Sequence, residues 1–161
     1  MTHLYVFILN ILILLNIYIY MVKWICVSGY FDPIHIGHIE YFKKAKAIGD
    51  KLVVIVNNDA QACMKKGGAF MPADERIQII NELVCVDKVI KSIDLDRTVR
   101  ATLTSIDPKP TYFCNGGDQN NNSIPEAEVC NNLGIEMCDG LGDKIQSSSW
   151  LINNGLRLKN I

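Results

Sequence analysis

Apolar positions fall into two regimes along this chain. From Leu4 to Val22 nearly every residue is Leu, Ile, Tyr, Val or Phe, with interruptions at Asn10 and Asn16 and no charge. Beyond Lys23 short apolar runs alternate with amphipathic stretches. Trp24-Ile25-Cys26-Val27 reads as a buried strand, and Ile39-Glu40-Tyr41-Phe42-Lys43-Lys44-Ala45 has the spacing of an amphipathic helix. After a turn at Gly49-Asp50, the run Lys51 to Val56 fits a parallel strand covered on both faces. Strand, helix and strand then make a right-handed crossover. Asn57-Asn58-Asp59 ends the second strand and a short polar helix follows. The paired glycines of Lys65-Lys66-Gly67-Gly68-Ala69-Phe70-Met71 predict a mobile loop. Pro72 opens the next helix, with Asp74 and Glu75 in its first turn and Ile77, Ile80, Leu83 and Val84 as its buried stripe.

The second half repeats the alternation. Val86 to Ile90 is a third strand, and Asp96 to Ile106 a helix stopped by Pro108 and Pro110. Thr111 to Cys114 is a fourth strand, Pro125-Glu126 starts a helix that Gly134 ends, and Ile135 to Cys138 is a short fifth strand. Ser147-Ser148-Ser149 precede a last apolar helical run, as helix caps do. The pattern predicts one α/β domain, a doubly wound parallel five-stranded sheet.

A chain of 161 residues suits a single domain. With 16 Lys and Arg against 17 Asp and Glu, the net charge of −1 carries no polycationic mark of a nucleic-acid binder, so phosphate recognition has to be local. The six cysteines, Cys26, Cys63, Cys85, Cys114, Cys130 and Cys138, form no C-x-x-C pair, which argues against a zinc or redox motif. They point to a reducing, cytoplasmic setting. Residues 1–22 stand apart as a leader with two readings: a membrane anchor through residues 4–22, or a non-native extension ahead of a domain spanning 23–161. A signal peptide fits poorly, because a basic start and a small-residue cleavage site are lacking.

The chemistry concentrates in Gly29-Tyr30-Phe31-Asp32-Pro33-Ile34-His35-Ile36-Gly37-His38, between the first strand and the first helix of the domain. The opening N–H groups of a helix lack intrahelical partners and carry the positive end of its dipole, so this turn suits a phosphate. Gly29 lets the chain leave the strand sharply and Gly37 lets the helix start lie close to a ligand. Two imidazoles separated by two residues, with only glycine and isoleucine around them, are hard to explain as packing. A second glycine-rich strand end, Asn115-Gly116-Gly117-Asp118, follows strand four, and ligands of doubly wound sheets sit beyond such strand ends.

Gly29-x-Phe31-Asp32-x-x-His35-x-Gly37-His38 resembles the HxGH signature of the nucleotidyltransferase superfamily, the cytidylyltransferase-like domain that includes glycerol-3-phosphate cytidylyltransferases and heptose-phosphate adenylyltransferases. The resemblance runs from about Lys23 to Ile152. It implies a Rossmann-like sheet of strand order 3-2-1-4-5 and transfer of CMP or AMP from CTP or ATP to a phosphorylated small molecule, a sugar phosphate or an alcohol phosphate, with release of pyrophosphate. His35 and His38 would then act as donors to the α-phosphate and leaving oxygen, and Lys65 or Lys66 with Arg76 would clamp phosphates. Gly29, Tyr30, Phe31, Asp32 and Gly37, together with Asn115, Gly116, Gly117, Asp118, Ser147, Ser148 and Ser149, would surround the nucleotide. Mg²⁺ would accompany the triphosphate, with Asp32 or Asp118 as an added carboxylate.

Three positions depart from the family pattern. Asn115 stands where sugar-phosphate enzymes often have lysine, Ser149 where threonine is usual, and Ile152 where some members carry arginine. The charge lost at Asn115 leaves the acceptor class open. A homodimer is compatible with this reading. The competing reading is a nucleotide-binding module without turnover, anchored through its leader.

Overall fold

The computed structural model describes residues 2–116, 124–141 and 145–158, with side chains left out for residues 2, 3, 15–21 and 156–158. The elements in chain order are α1 (Thr2–Met21), β1 (Trp24–Gly29), α2 (Ile36–Lys46), β2 (Lys51–Val56), α3 (Asp59–Lys66), α4 (Ala73–Asn81), β3 (Lys88–Lys91), α5 (Arg100–Ser105), β4 (Tyr112–Cys114), α6 (Ala127–Leu133), β5 (Glu136–Cys138) and α7 (Ser148–Leu158). The five strands form one sheet in the order β3-β2-β1-β4-β5. All four pairings are parallel, with Trp24 opposite Lys51 and Ile25 opposite Tyr112.

Alternate residues of the central strands feed two cores, because successive side chains point to opposite faces. Ile25, Val27, Leu52, Val54 and Val56 pack with Phe42 and Ala45 of α2 and Ile80 of α4. Cys26, Val53, Ile55 and Phe113 pack on the other face with Leu103 of α5 and Cys130 of α6. Strands covered on both faces read as unbroken apolar runs, which is why Leu52 to Val56 are all buried.

Five expectations need correction. The helix read from Asp96 to Ile106 begins only at Arg100, because the Asp94 carboxylate accepts from the N–H groups of Ala101 (2.7 Å) and Thr102 (3.0 Å) and fixes the start there. Strand three begins at Lys88; Val86 N–H closes a turn onto Leu83 O at 2.8 Å instead. Lys65 and Lys66 lie in the last turn of α3, not in the loop, since Gly67 at φ 83° supplies the left-handed cap only after them. The loop that follows is tied down, its Phe70 and Met71 N–H groups bonding to Asp32 at 2.9 and 2.7 Å. Val84, read as part of a buried stripe, is fully exposed because α4 stops at Asn81.

Ahead of the sheet, α1 exposes Leu4 to Leu9 and Ile11 to Leu14 on every side. Among the described residues no helix is long and apolar enough to cross a membrane.

Candidate active site

The turn after β1 is shaped by aromatic packing. Phe31 is buried at φ 50°, an uncommon backbone conformation for a residue with a side chain. Its ring meets the edges of His38 (5.0 Å between centroids) and Phe42 (4.9 Å). A Cβ on Gly29 would fall 2.8 Å from this ring, so glycine is needed there for space. Asp32 is buried and both carboxylate oxygens accept from the following loop, at Phe70 and Met71. It acts as a tether and is not among the residues lining the cavity.

His35 caps α2 in extended conformation and His38 follows one turn on. The two rings stack 3.6 Å apart at 17°. Burial pushes the His38 pKa down to about 3, helped by the charges of His35 and Lys66. Burial also lowers His35, and Lys66 lowers it further. Both imidazoles are therefore neutral at pH 7. His38 Nδ1 accepts the His35 N–H at 3.3 Å, which places the His38 proton on Nε2 and makes that atom a donor. His35 Nδ1 is buried with no hydrogen-bond partner among the described residues. A Cβ on Gly37 would come within 3.1 Å of the His35 ring, so the second glycine also makes room.

Lys65 and Lys66 bring their ammonium groups 4.3 and 5.8 Å from the centroid of the Tyr30 ring. Lys66 also donates to Asp32 O at 2.8 Å, and burial lowers its pKa, opposed by Asp32 and aided by Arg76. Arg76 departs from expectation. Its side chain is wholly buried, donating to the carbonyls of Met71 (2.8 Å), Tyr30 (2.6 Å) and Asn57 (2.9 Å) and to Asp59 Oδ1 (2.6 Å). It braces the ends of β1 and β2 and the loop before α4, and it is not among the residues lining the cavity.

These elements enclose a cavity of about 750 Å³ at the carboxyl end of the sheet. Of the residues expected around a nucleotide, Gly29, Tyr30, Phe31, His35, Gly37, His38, Lys65, Lys66, Asn115, Gly116 and Ser147 to Ser149 line it together. Gly117 and Asp118 lie outside the described residues. Ser147 accepts the Trp150 N–H at 3.2 Å as the cap of α7, and Ser148 donates to Pro33 O at 3.0 Å, docking α7 onto the histidine turn. Tyr41 was not singled out in the sequence. It donates to Cys114 O at 2.6 Å, and a Cβ on Gly116 would sit 2.9 Å from its ring. Its position three residues after His38 on a helix was the signal, since such residues share a face. Among the described residues no cluster of His, Cys, Asp or Glu could hold a metal ion.

Residues 26–134 match the family described as Cytidylyltransferase-like. The chain belongs to this family. It is 36% identical over 110 residues to an FAD synthase of Thermoplasma volcanium, a match covering 67% of this chain and 73% of that one. It is 31% identical over 133 residues to the bifunctional protein HldE of Hahella chejuensis, covering 81% of this chain but only 25% of HldE. A crystal structure of a lipopolysaccharide core biosynthesis protein from Thermoplasma volcanium superposes with a TM-score of 0.62 at 31% identity, over 73% of this chain and 95% of that one. The family assignment makes the chain a nucleotidyltransferase-type protein with a nucleotide-binding, Rossmann-like domain.

Proposed function

We propose that the protein transfers AMP from ATP to a phosphorylated small molecule and releases pyrophosphate. An acceptor phosphate oxygen attacks the α-phosphorus, a new P–O–P bridge forms, and the bond from the α-phosphorus to the bridging oxygen breaks, with that oxygen leaving on pyrophosphate. The nucleophile is anionic at neutral pH, so no catalytic base is needed. The protein has to hold two repelling anions in line and meet the charge that grows in the transition state.

One observation carries the reading: the neutral, stacked His35 and His38 at the start of α2 open into the same cavity as Lys65, Lys66 and the α7 cap. The His38 Nε2–H donor is held in place by the His35 backbone before any substrate arrives. Preorganised donors of this kind stabilise developing charge without reorganising. The lysines supply positive charge from one side and the α7 start supplies N–H groups from the other. Mg²⁺ enters with the nucleotide as part of the substrate.

The preference for ATP over CTP rests on the FAD synthase relatives, because FAD consists of an AMP unit joined to FMN through a pyrophosphate bridge. A module without turnover is not favoured by these relatives. The test is pyrophosphate release from ATP or CTP with sugar phosphates, glycerol phosphate, amino-alcohol phosphates and FMN as acceptors. The reading expects release with ATP and at least one of these. Silence with every pair at saturating nucleotide contradicts it.

A further inference from the structure

Glu40, Tyr41 and Lys44 also line the cavity, and the transfer step uses none of them. They lie beyond the histidine turn on α2. With Gly37 they share one face of that helix, since residues three, four and seven positions on recur at helical spacing. The direction of the face is fixed at two points. A Cβ on Gly37 would meet the side chain of Ile145 at 3.4 Å, and Tyr41 donates to Cys114 O, at the end of β4, at 2.6 Å. The face therefore looks toward β4 and the segment before α7. Lys65 and Lys66 reach the cavity from α3, the helix that follows β2 on the other side of β1.

Distance along the helix orders what this arm can hold. An α-phosphate at the histidines sits over the first turn of α2. At a rise of about 1.5 Å per residue, Glu40 lies about 4–5 Å beyond Gly37 and Lys44 about 10 Å beyond it. Measured outward from an α-phosphate, the sugar comes first and the base after it. Charge gives the same order. The Glu40 carboxylate repels phosphate, so the part of a nucleotide beside it is an uncharged one. Leu141 and Ile145 line the same arm with apolar surface. Glu40 is only lightly engaged: its Oε1 pairs with Lys43 at 3.2 Å, and those side chains are 42% and 59% exposed. Surface pairs of this kind contribute little and do not withhold the carboxylate from a ligand.

We propose that Glu40 is a specificity-determining residue that binds the ribose hydroxyls of the nucleotide. This rests on the nucleotidyl-transfer reading and deepens it. An ionised carboxylate only accepts hydrogen bonds, and its two oxygens match the two hydroxyl donors on neighbouring ribose carbons. Such bonds are charge-assisted, and a nucleotide lacking a hydroxyl leaves the carboxylate facing it without a donor. The site then selects ribonucleotides over deoxyribonucleotides through a side chain on the same helix that carries His38.

The test is calorimetric titration of the full chain with ATP, 2′-deoxy-ATP and 3′-deoxy-ATP in the presence of Mg²⁺ and without an acceptor. The unmodified chain should bind ATP about tenfold more tightly than at least one of the deoxy forms. In Glu40→Ala the affinity for ATP should fall toward that of the deoxy form, leaving a ratio below about threefold. Glu40→Gln keeps one acceptor oxygen without the charge and should give an intermediate ratio. Lys43→Met removes the ion-pair partner, which does not line the cavity, and should keep the ratio within about twofold of the unmodified chain. Equal affinities for ATP and both deoxy forms in the unmodified chain, or ratios unchanged in Glu40→Ala, overturn the proposal and leave the nucleotidyl-transfer reading standing. Failure of the unmodified chain to bind ATP at all overturns both.

Discussion

Replacing Arg76 with Met separates a structural arginine from a substrate ligand. Methionine keeps much of the apolar stem and removes the guanidinium. The carbonyl oxygens of Met71, Tyr30 and Asn57 then lose the donors that met them at 2.6 to 2.9 Å. Each buried acceptor left without a partner costs about 1–3 kcal/mol, and breaking a buried charged pair costs about 3–5 kcal/mol. The Asp59 side chain is 49% exposed and can return to water, which places the expected loss at the lower end, about 3 kcal/mol. With urea slopes of about 1–3 kcal/mol per molar for small proteins, the unfolding midpoint should fall by about 1–3 M. Urea unfolding followed by circular dichroism measures it, and pyrophosphate release is measured on the same preparations. A midpoint within about 0.2 M of the unmodified protein, together with a hundredfold loss of turnover, would show Arg76 to be a phosphate ligand and refute the structural assignment.

Other consequences follow from the same geometry. Gly116→Ala puts a methyl 2.9 Å from the Tyr41 ring, which the bond to Cys114 O holds in place, so stability should drop by about 1–3 kcal/mol and nucleotide binding should weaken with it. An unchanged midpoint would mean the ring yields freely. The folded-state pKa of His38, about 3, lies below its unfolded value near 6.5, so its contribution to stability is complete above about pH 6.5 and is lost as pH falls toward 3. Unfolding free energies measured from pH 7 to 4 should therefore fall less steeply in His38→Asn; identical slopes would contradict the assignment. Removing residues 1–20 should leave a soluble domain with full pyrophosphate release, since the sheet begins at Trp24 and the described α1 side chains are exposed. Loss of soluble protein would make α1 part of the core or of an interface.

The sheet was legible because each strand writes its own environment. A run such as Leu52 to Val56 can be satisfied only between two covered faces, and glycines after β1 and β4 mark the ends where a ligand fits. Ser147 was legible as a cap because hydroxyl side chains at that place bond the free N–H groups of a helix. The fate of Arg76 was not legible. Its partners are carbonyls of residues 30, 57 and 71, and backbone acceptors leave no trace in side-chain pattern. The tethering by Asp32 was hidden in the same way, since its partners are two amides 38 and 39 residues on. Gly29 was read as letting the chain leave the strand sharply, whereas it has no positive φ and makes room for the Phe31 ring, as Gly116 does for that of Tyr41.

The central claim is that the stacked, neutral His35 and His38 stabilise the transition state of nucleotidyl transfer. Pyrophosphate release by the unmodified chain, His35→Ala, His38→Ala and the double variant, at saturating ATP and the best acceptor from the screen, tests it most directly. Each single substitution should lower kcat by about two or more orders of magnitude, the scale of losing one preorganised donor, while the affinity for ATP changes far less. Near-normal turnover in the double variant would contradict the account.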